Sequence, residues 1–358
     1  MKITKLLYLI IFIFIAFTAC DDDDNKKTIP VDPPVEKDMS GFAHGADVSW
    51  LTEMESQDVL FYNAEGSETE CMSLLKDMDM NAIRLRVWVN PTDGWCNKTD
   101  FLVKAKRAND LKMRIMVDFH YSDSWADPGK QNKPAAWEGF TLQELVAAVE
   151  AHTTDVLTAL KDWNITPEWV QVGNETTYGM LWDDDESISG GLTANNGANY
   201  TQLHNAGYDA VKSVFPDAKV VLHIDRGNRS DLTQNLLTIT NANNIKIDVL
   251  GFSLYPETDN WESYTTLCIN NMQWVVDTYG LDVMICEVGM SNDAPETAQS
   301  FLSQLVSQVS AITDNQGNSK GLGVFYWEPQ CYNNWKGYTK GAFDSEGMPS
   351  AALSAFAK

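Results

Sequence analysis

Residues 82–88 read Ala82-Ile83-Arg84-Leu85-Arg86-Val87-Trp88. Ile83, Leu85 and Val87 alternate with Arg84, Arg86 and Trp88, which is the period of two that a β-strand imposes on its two faces. An arginine on a face bordered by leucine and valine must find a partner or serve a function, because an unpaired buried charge is too costly to keep. The stretch therefore reads as a strand with an apolar outer face and a charged inner one.

Working outward, runs of the same kind recur at 44–49, 114–119, 168–173, 219–224, 248–254, 282–286 and 322–327. Most are rich in valine and isoleucine, as expected of parallel strands covered on both faces. Helical periods lie between them. Leu142, Leu145, Val146, Val149, Val156, Leu157 and Leu160 keep to one face, and 297–312 carries Ala298, Phe301, Leu302, Leu305 and Val309 at similar spacing. Eight strand–helix units of roughly 40 residues each predict an α/β chain folded as a single (β/α)8 TIM barrel over residues 41–358. An open doubly wound sheet is the alternative. No glycine-rich phosphate turn follows any strand, which removes the usual reason for that fold.

The first forty residues read differently. Lys2 and Lys5 precede twelve apolar residues, Leu6 to Phe17, too few to span a bilayer but suited to a signal-peptide core over 1–19. Phe17-Thr18-Ala19-Cys20 resembles a bacterial lipobox, which implies that Cys20 is lipidated. Asp21 to Asp24 resemble the surface-export tag of some Gram-negative lipoproteins. Residues 20–40 are expected to form an acidic, proline-containing tether. The expected location is the outer membrane, exposed at the cell surface, with Cys20 as the sole membrane contact.

The charge of −24 repels phosphate backbones and excludes nucleic acid as a partner, while a neutral polymer is compatible with it. A monomer is expected. Five cysteines remain after Cys20, none in a CxxC pair, so no zinc or redox motif is present and at least one thiol stays free. Cys286 lies in an apolar run and reads as core.

In a parallel barrel, function gathers at the C-terminal strand ends. Those positions hold Asp47, then Arg84, Arg86 and Trp88, then Asp118 and His120. Around the rest of the rim come Asn174-Glu175, His223 and Asp225, Tyr255, Glu287, and Trp327-Glu328. Several charged pairs converging on one rim are hard to read as structural ion pairs alone. Tryptophan numbers 12, and Trp88, Trp125, Trp182 and Trp327 fall in or just after strand ends, where indole faces can stack on the C–H faces of pyranose rings.

Asn174-Glu175 after the fourth strand and Glu287 after the seventh resemble the pattern of clan A glycosidases. More narrowly, Arg84-Leu-Arg-Val-Trp-Val-Asn-Pro91 and Asp118-Phe-His-Tyr-Ser-Asp-Ser-Trp-Ala-Asp-Pro128 resemble glycoside hydrolase family 53, the endo-β-1,4-galactanases. Val172-Gly-Asn-Glu175 with Gly179-Met-Leu-Trp182, and Gly323-Val-Phe-Tyr-Trp-Glu-Pro329, extend the likeness to the C-terminus. The resemblance implies hydrolysis of β-1,4-galactan with retention, Glu175 as acid/base and Glu287 as nucleophile. It further implies that Asn174 bonds the 2-hydroxyl of the cleaved sugar and that Tyr255 holds the nucleophile, with Arg84 as its counterion. Asp47, Arg86, Trp88, Asp118, Trp125, Trp327 and Glu328 are expected to bind substrate, and His120, His223 and Asp225 to bind substrate hydroxyls or orient the glutamates.

There are departures: only 31 residues follow Trp327, and Val288 stands where the family usually has threonine after the nucleophile. Bacterial members often carry an acidic, glycine-rich calcium loop after the seventh strand, whereas Glu287 is followed here by VGMSNDAPETAQ. No cofactor or metal is therefore expected, and the cleft should be more open. Three other readings are compatible with parts of the pattern. They are another retaining clan A activity on mannan, xylan or glucan, a non-catalytic surface glycan binder, and a metal-dependent hydrolase using Asp118, His120, His223 and Asp225.

Overall fold

The computed structural model describes residues 36–182 and 196–357. The expected signal peptide, Cys20 and the tether as far as residue 35 lie outside the described residues. Among the described residues no helix is long and apolar enough to cross a membrane.

The first half of the barrel comprises β1 (Ala43–Asp47), α1 (Leu51–Ser56), α2 (Cys71–Asp77), β2 (Ala82–Val87), α3 (Lys98–Asp110), β3 (Arg114–Phe119), α4 (Leu142–Asp162) and β4 (Trp169–Val172). The second half comprises α5 (Asn196–Val214), β5 (Lys219–Ile224), α6 (Ser230–Asn241), β6 (Val249–Leu254), α7 (Trp261–Tyr279), β7 (Asp282–Val288), α8 (Pro295–Ser310) and β8 (Gly321–Trp327). Each strand pairs in parallel with the next, and β8 pairs with β1 to close the barrel. All eight expected strands are present, with ends within two residues of those read from the sequence. The doubly wound alternative is excluded by this closure.

Alternation along the strands builds two cores. Ile83, Leu85, Val87, Ile115, Val117, Phe119, Val170 and Val172 face outward into the layer shared with the helices. Burying each such side chain contributes about 1.5–3 kcal/mol before conformational entropy is charged against it. Inside the barrel Met116, Trp169, Val221, Val249, Met284, Cys286 and Phe325 form a second, apolar plug. Gly45 makes room for it, since a Cβ there would lie 2.2 Å from Phe325 Cδ1. The helices start and stop on local signals. Thr141 and Glu144 form a reciprocal capping box at the head of α4, Pro295 opens α8, and Gly280 (φ 70°) ends α7.

One irregularity matters for the site. Phe252 pairs with Ile285 but Ser253 pairs with Glu287, so Cys286 is an extra residue in β7. This bulge turns both Cys286 and Glu287 toward the barrel axis, where strict alternation from Met284 would have sent Glu287 outward. Gly251 leaves the space, for a Cβ there would sit 2.3 Å from Cys286 Sγ. All five cysteines of the described residues are free and buried.

Candidate active site

Above the apolar plug the inward positions turn polar, and Arg84 from β2 sits at their centre with no solvent exposure. Its Nη1 lies 2.7 Å from Asp47 Oδ2 and 3.0 Å from Glu287 Oε1, while Nη2 lies 2.9 Å from Asp118 Oδ2. The same guanidinium donates to Gln171 Oε1 at 3.2 and 2.9 Å and to Asn174 Oδ1 at 2.9 Å. Burial opposes its charge, but Asp118, Glu287 and Asp47 outweigh that and raise its pKa well above the ordinary arginine value. A planar five-donor fork suits this arrangement in a way an ammonium would not.

Glu175 follows β4 through a tight turn. Gly173 and Glu175 both have positive φ, 84° and 46°, and the latter is an uncommon conformation for a non-glycine residue. The turn is pinned by Thr176 N–H donating to His223 O at 2.9 Å and Gln131 Nε2 donating to Asn174 O at 2.8 Å. The Glu175 carboxyl receives a hydrogen bond of 2.6 Å from Ser253 Oγ on β6. Burial first, and the negative charge of Glu287 second, push its pKa well above the usual carboxylate range.

Glu287 is carried inward by the β7 bulge. Tyr255 O–H donates to its Oε2 at 2.9 Å, and Arg84 faces its Oε1. Burial, with Asp118 and Asp47, raises its pKa, and Arg84 works against them. The two glutamates are thus close enough to feel each other but unequally supplied. Glu287 has a cation and a phenol, whereas Glu175 has a serine hydroxyl. A proton shared by the pair settles on Glu175.

The remaining expected residues divide into two groups. Trp125 and Trp327 keep part of their surface exposed, whereas Trp88 is only 7% exposed. A groove of about 340 Å³ is lined by Trp50, Trp88, Asp93, Asp123, Trp125 and Lys336. The side chains of Asp47, Arg86, Asp118 and Glu328, expected at the substrate, are fully buried instead, and so is that of His223, which lies against Glu175. Their strand positions lie below the rim, where they meet each other rather than solvent. Arg86 is stacked 4.2 Å from the Trp125 ring and 4.9 Å from Trp88, with Glu328 at 3.3 Å. Burial and the charge of Asp47 push Glu328 up to about 8. Asp118 is held below the usual carboxylate range, Arg84 and His120 together overcoming its burial. His120 Nε2 is 3.0 Å from Asp118 Oδ2, and burial lowers its pKa.

Asp225 lies apart from that pair, held by Thr177 and Arg226. Of the four residues of the metal-dependent alternative, Asp118 and His120 bond each other while His223 meets Asn174 and Ser253, and among the described residues no group of three or more His, Cys, Asp or Glu is arranged to hold a metal ion.

Three contributors are absent from the residues singled out in the sequence: Gln171, Ser253 and Trp50. Gln171 bridges Arg84 and Asn174, accepting from Arg84 and donating to Asn174 Oδ1 at 3.1 Å. Trp50 packs 5.3 Å from Trp125 and 5.2 Å from Trp327. A signal existed for the first two. Gln171 is a polar residue inside Val170-Gln171-Val172, and Ser253 shares a strand face with Tyr255.

Comparison with known proteins agrees with this geometry. A family model described as glycosyl hydrolase family 53 matches residues 43–356. An endo-beta-1,4-galactanase of Bacillus subtilis is 31% identical over 321 residues, covering 82% of this chain and 71% of that protein. An uncharacterized protein of Niallia circulans is 33% identical over 346 residues, covering 88% and 93%. Among solved structures, a fungal beta-1,4-galactanase superposes with a TM-score of 0.77 at 27% identity, over 87% of this chain and 98% of that one. The match of the family model across the whole barrel, with the resemblance of the strand-end motifs, leads to one conclusion: the chain belongs to glycosyl hydrolase family 53.

Proposed function

We propose that this protein is an endo-β-1,4-galactanase that hydrolyses β-1,4-galactan by double displacement, with Glu287 as nucleophile and Glu175 as acid/base. The unequal support of the two glutamates carries the chemistry. Glu287, backed by Arg84 and Tyr255, is the carboxylate poised to attack the anomeric carbon. Glu175, held protonated by burial and by Glu287's charge, gives its proton to the departing glycosidic oxygen. Once Glu287 becomes an ester its charge is gone, the repulsion on Glu175 lapses, and Glu175 is free to take a proton from the attacking water.

In this reading Asn174 bonds the 2-hydroxyl of the cleaved sugar; the fixing of its amide by Arg84, Gln171 and Ala126 O supports that role. Trp125 and Trp327 offer partly exposed rings to sugar C–H faces. The substrate class rests on the family and on the galactanases it resembles, and the acidic chain suits an uncharged polymer. The sequence of residues 17–24 supports anchoring through Cys20 at the outer surface of the outer membrane.

Incubation with galactan, mannan, xylan and a β-glucan tests the substrate, and proton NMR of the first products tests stereochemistry. Release of β-anomeric galacto-oligosaccharides from galactan alone is expected. Preference for another polymer would overturn the substrate class, and initial α-anomers would overturn double displacement.

A further inference from the structure

Glu175 is linked to the barrel interior through a short line of side chains. Ser253 Oγ lies 2.6 Å from Glu175 Oε1, and His223 Nε2 lies 2.9 Å from Ser253 Oγ. On its other side the imidazole meets two partners of opposite kind. Nδ1 is 3.0 Å from Asn174 Oδ1, an acceptor, and 3.3 Å from the Glu175 backbone N–H, a donor. The amide orientation of Asn174 is set by its own contacts. Its Oδ1 accepts from Arg84 Nη2 at 2.9 Å and Gln171 Nε2 at 3.1 Å, and its Nδ2 donates to Ala126 O at 2.9 Å.

A neutral imidazole has one donor and one acceptor, so this surrounding fits it in two ways. With the proton on Nδ1, the ring donates to Asn174 and accepts from Ser253, whose oxygen then accepts from a protonated Glu175. With the proton on Nε2, the ring donates to Ser253, whose hydroxyl donates to an ionised Glu175, and Nδ1 accepts from the Glu175 N–H. Each arrangement uses one of the two partners available to Nδ1.

We propose that Ser253 and His223 are positioning residues that switch together with Glu175, His223 carrying its proton on Nδ1 while Glu175 is an acid and on Nε2 while it is a base. This rests on the acid/base role assigned to Glu175 above. One proton leaves the line, to the departing oxygen or, without substrate, to water. The Ser253 hydroxyl reverses, and the ring, neutral before and after, gains a proton at Nε2 through Ser253 and gives up the one on Nδ1, passing through a short-lived imidazolium. The carboxyl is thereby held by the same hydroxyl in both half-reactions.

The ring has to be neutral in both states for this, and burial, followed by the positive charge of Arg84, lowers its pKa well below the ordinary histidine value. Asp118 and His120 also bear on the ring, in opposite directions. Glu287, Asp225 and Arg84 are the charged groups that bear on Glu175.

The test is a nitrogen-15 NMR titration of histidine-labelled protein without substrate, in which five histidines must be resolved. The His223 signals are expected to change from the Nδ1–H to the Nε2–H pattern as Glu175 ionises, with the ring neutral at both ends. In Ser253→Ala the tautomer should no longer follow pH. The alkaline limb of kcat/KM should move up by about one pH unit, because the ionised carboxyl loses its donor, and Ser253→Thr should restore it. A single tautomer across the wild-type titration overturns the proposal, and so does a switch that survives in Ser253→Ala. Because the titration uses no substrate, an enzyme inactive on galactan would sink the substrate reading and leave the switch standing. Galactan hydrolysis with a fixed tautomer would do the reverse.

Discussion

Arg84 decides how charge is shared at the mouth of the barrel, since three carboxylates lean on one guanidinium. Replacing it by methionine leaves those charges buried without a partner, so a loss of about 3–5 kcal/mol in urea unfolding at neutral pH is expected. The loss should shrink in acid. Asp118 has a lowered folded-state pKa, so its contribution is full above the unfolded carboxyl value and disappears as pH falls through the folded one. The glutamates titrate the other way. On the proposed mechanism, activity should be lost as pH rises through the raised pKa of Glu175, the acid, and as pH falls through that of Glu287, the nucleophile. In Glu287→Gln the repulsion is removed, and carbon-13 NMR should show Glu175 ionising at lower pH than in the wild type. Glu175→Gln should lower kcat on galactan by about 10²–10⁴-fold with little change in KM. At this scale the charged residues were legible because several of them, each set among valine and isoleucine, converged on one rim. Ser253 and Gln171 gave only a weak signal, because an uncharged polar side chain in a strand costs far less to bury than a charge.

Strands and helices were legible wherever an alternation or a helical period ran unbroken. The exception is β7, where an extra residue reverses the parity between Met284 and Glu287. Nothing in Val283-Met-Ile-Cys-Glu287 announces the bulge, which arises from the fit of β7 between β6 and β8. Gly251→Ala would push a methyl into Cys286 Sγ and Val221. A cost of about 1–3 kcal/mol is expected, read as a lower melting temperature, together with a fall in kcat as Glu287 is displaced. Adding Cys286→Ala should recover part of both, and strict additivity of the two changes would show that the contact is unimportant. The α4 cap is a control on the opposite side of the same scale. Thr141→Ala should cost about 1 kcal/mol of stability and leave kcat unchanged.

The whole molecule was read from repetition: eight apolar runs, helical periods between them, and polarity gathered at one end of every strand. That pattern is robust because closure of the barrel needs each strand to be covered on both faces. Depth within the rim was not readable from it. Arg86, Glu328 and His223 share a period with rim residues yet are fully buried, because layers inside a barrel are set by the stagger between strands rather than by any one of them. At the level of the cell, Cys20→Ser should move the protein from the membrane fraction to the soluble one, while an unchanged distribution would remove the lipid anchor. The division of labour between the two glutamates is tested most directly by trapping the enzyme with a 2-deoxy-2-fluoro galacto-oligosaccharide bearing a good leaving group and sequencing the labelled peptide by mass spectrometry. The sugar is expected as an ester on Glu287; an ester on Glu175 or any other residue would contradict the assignment.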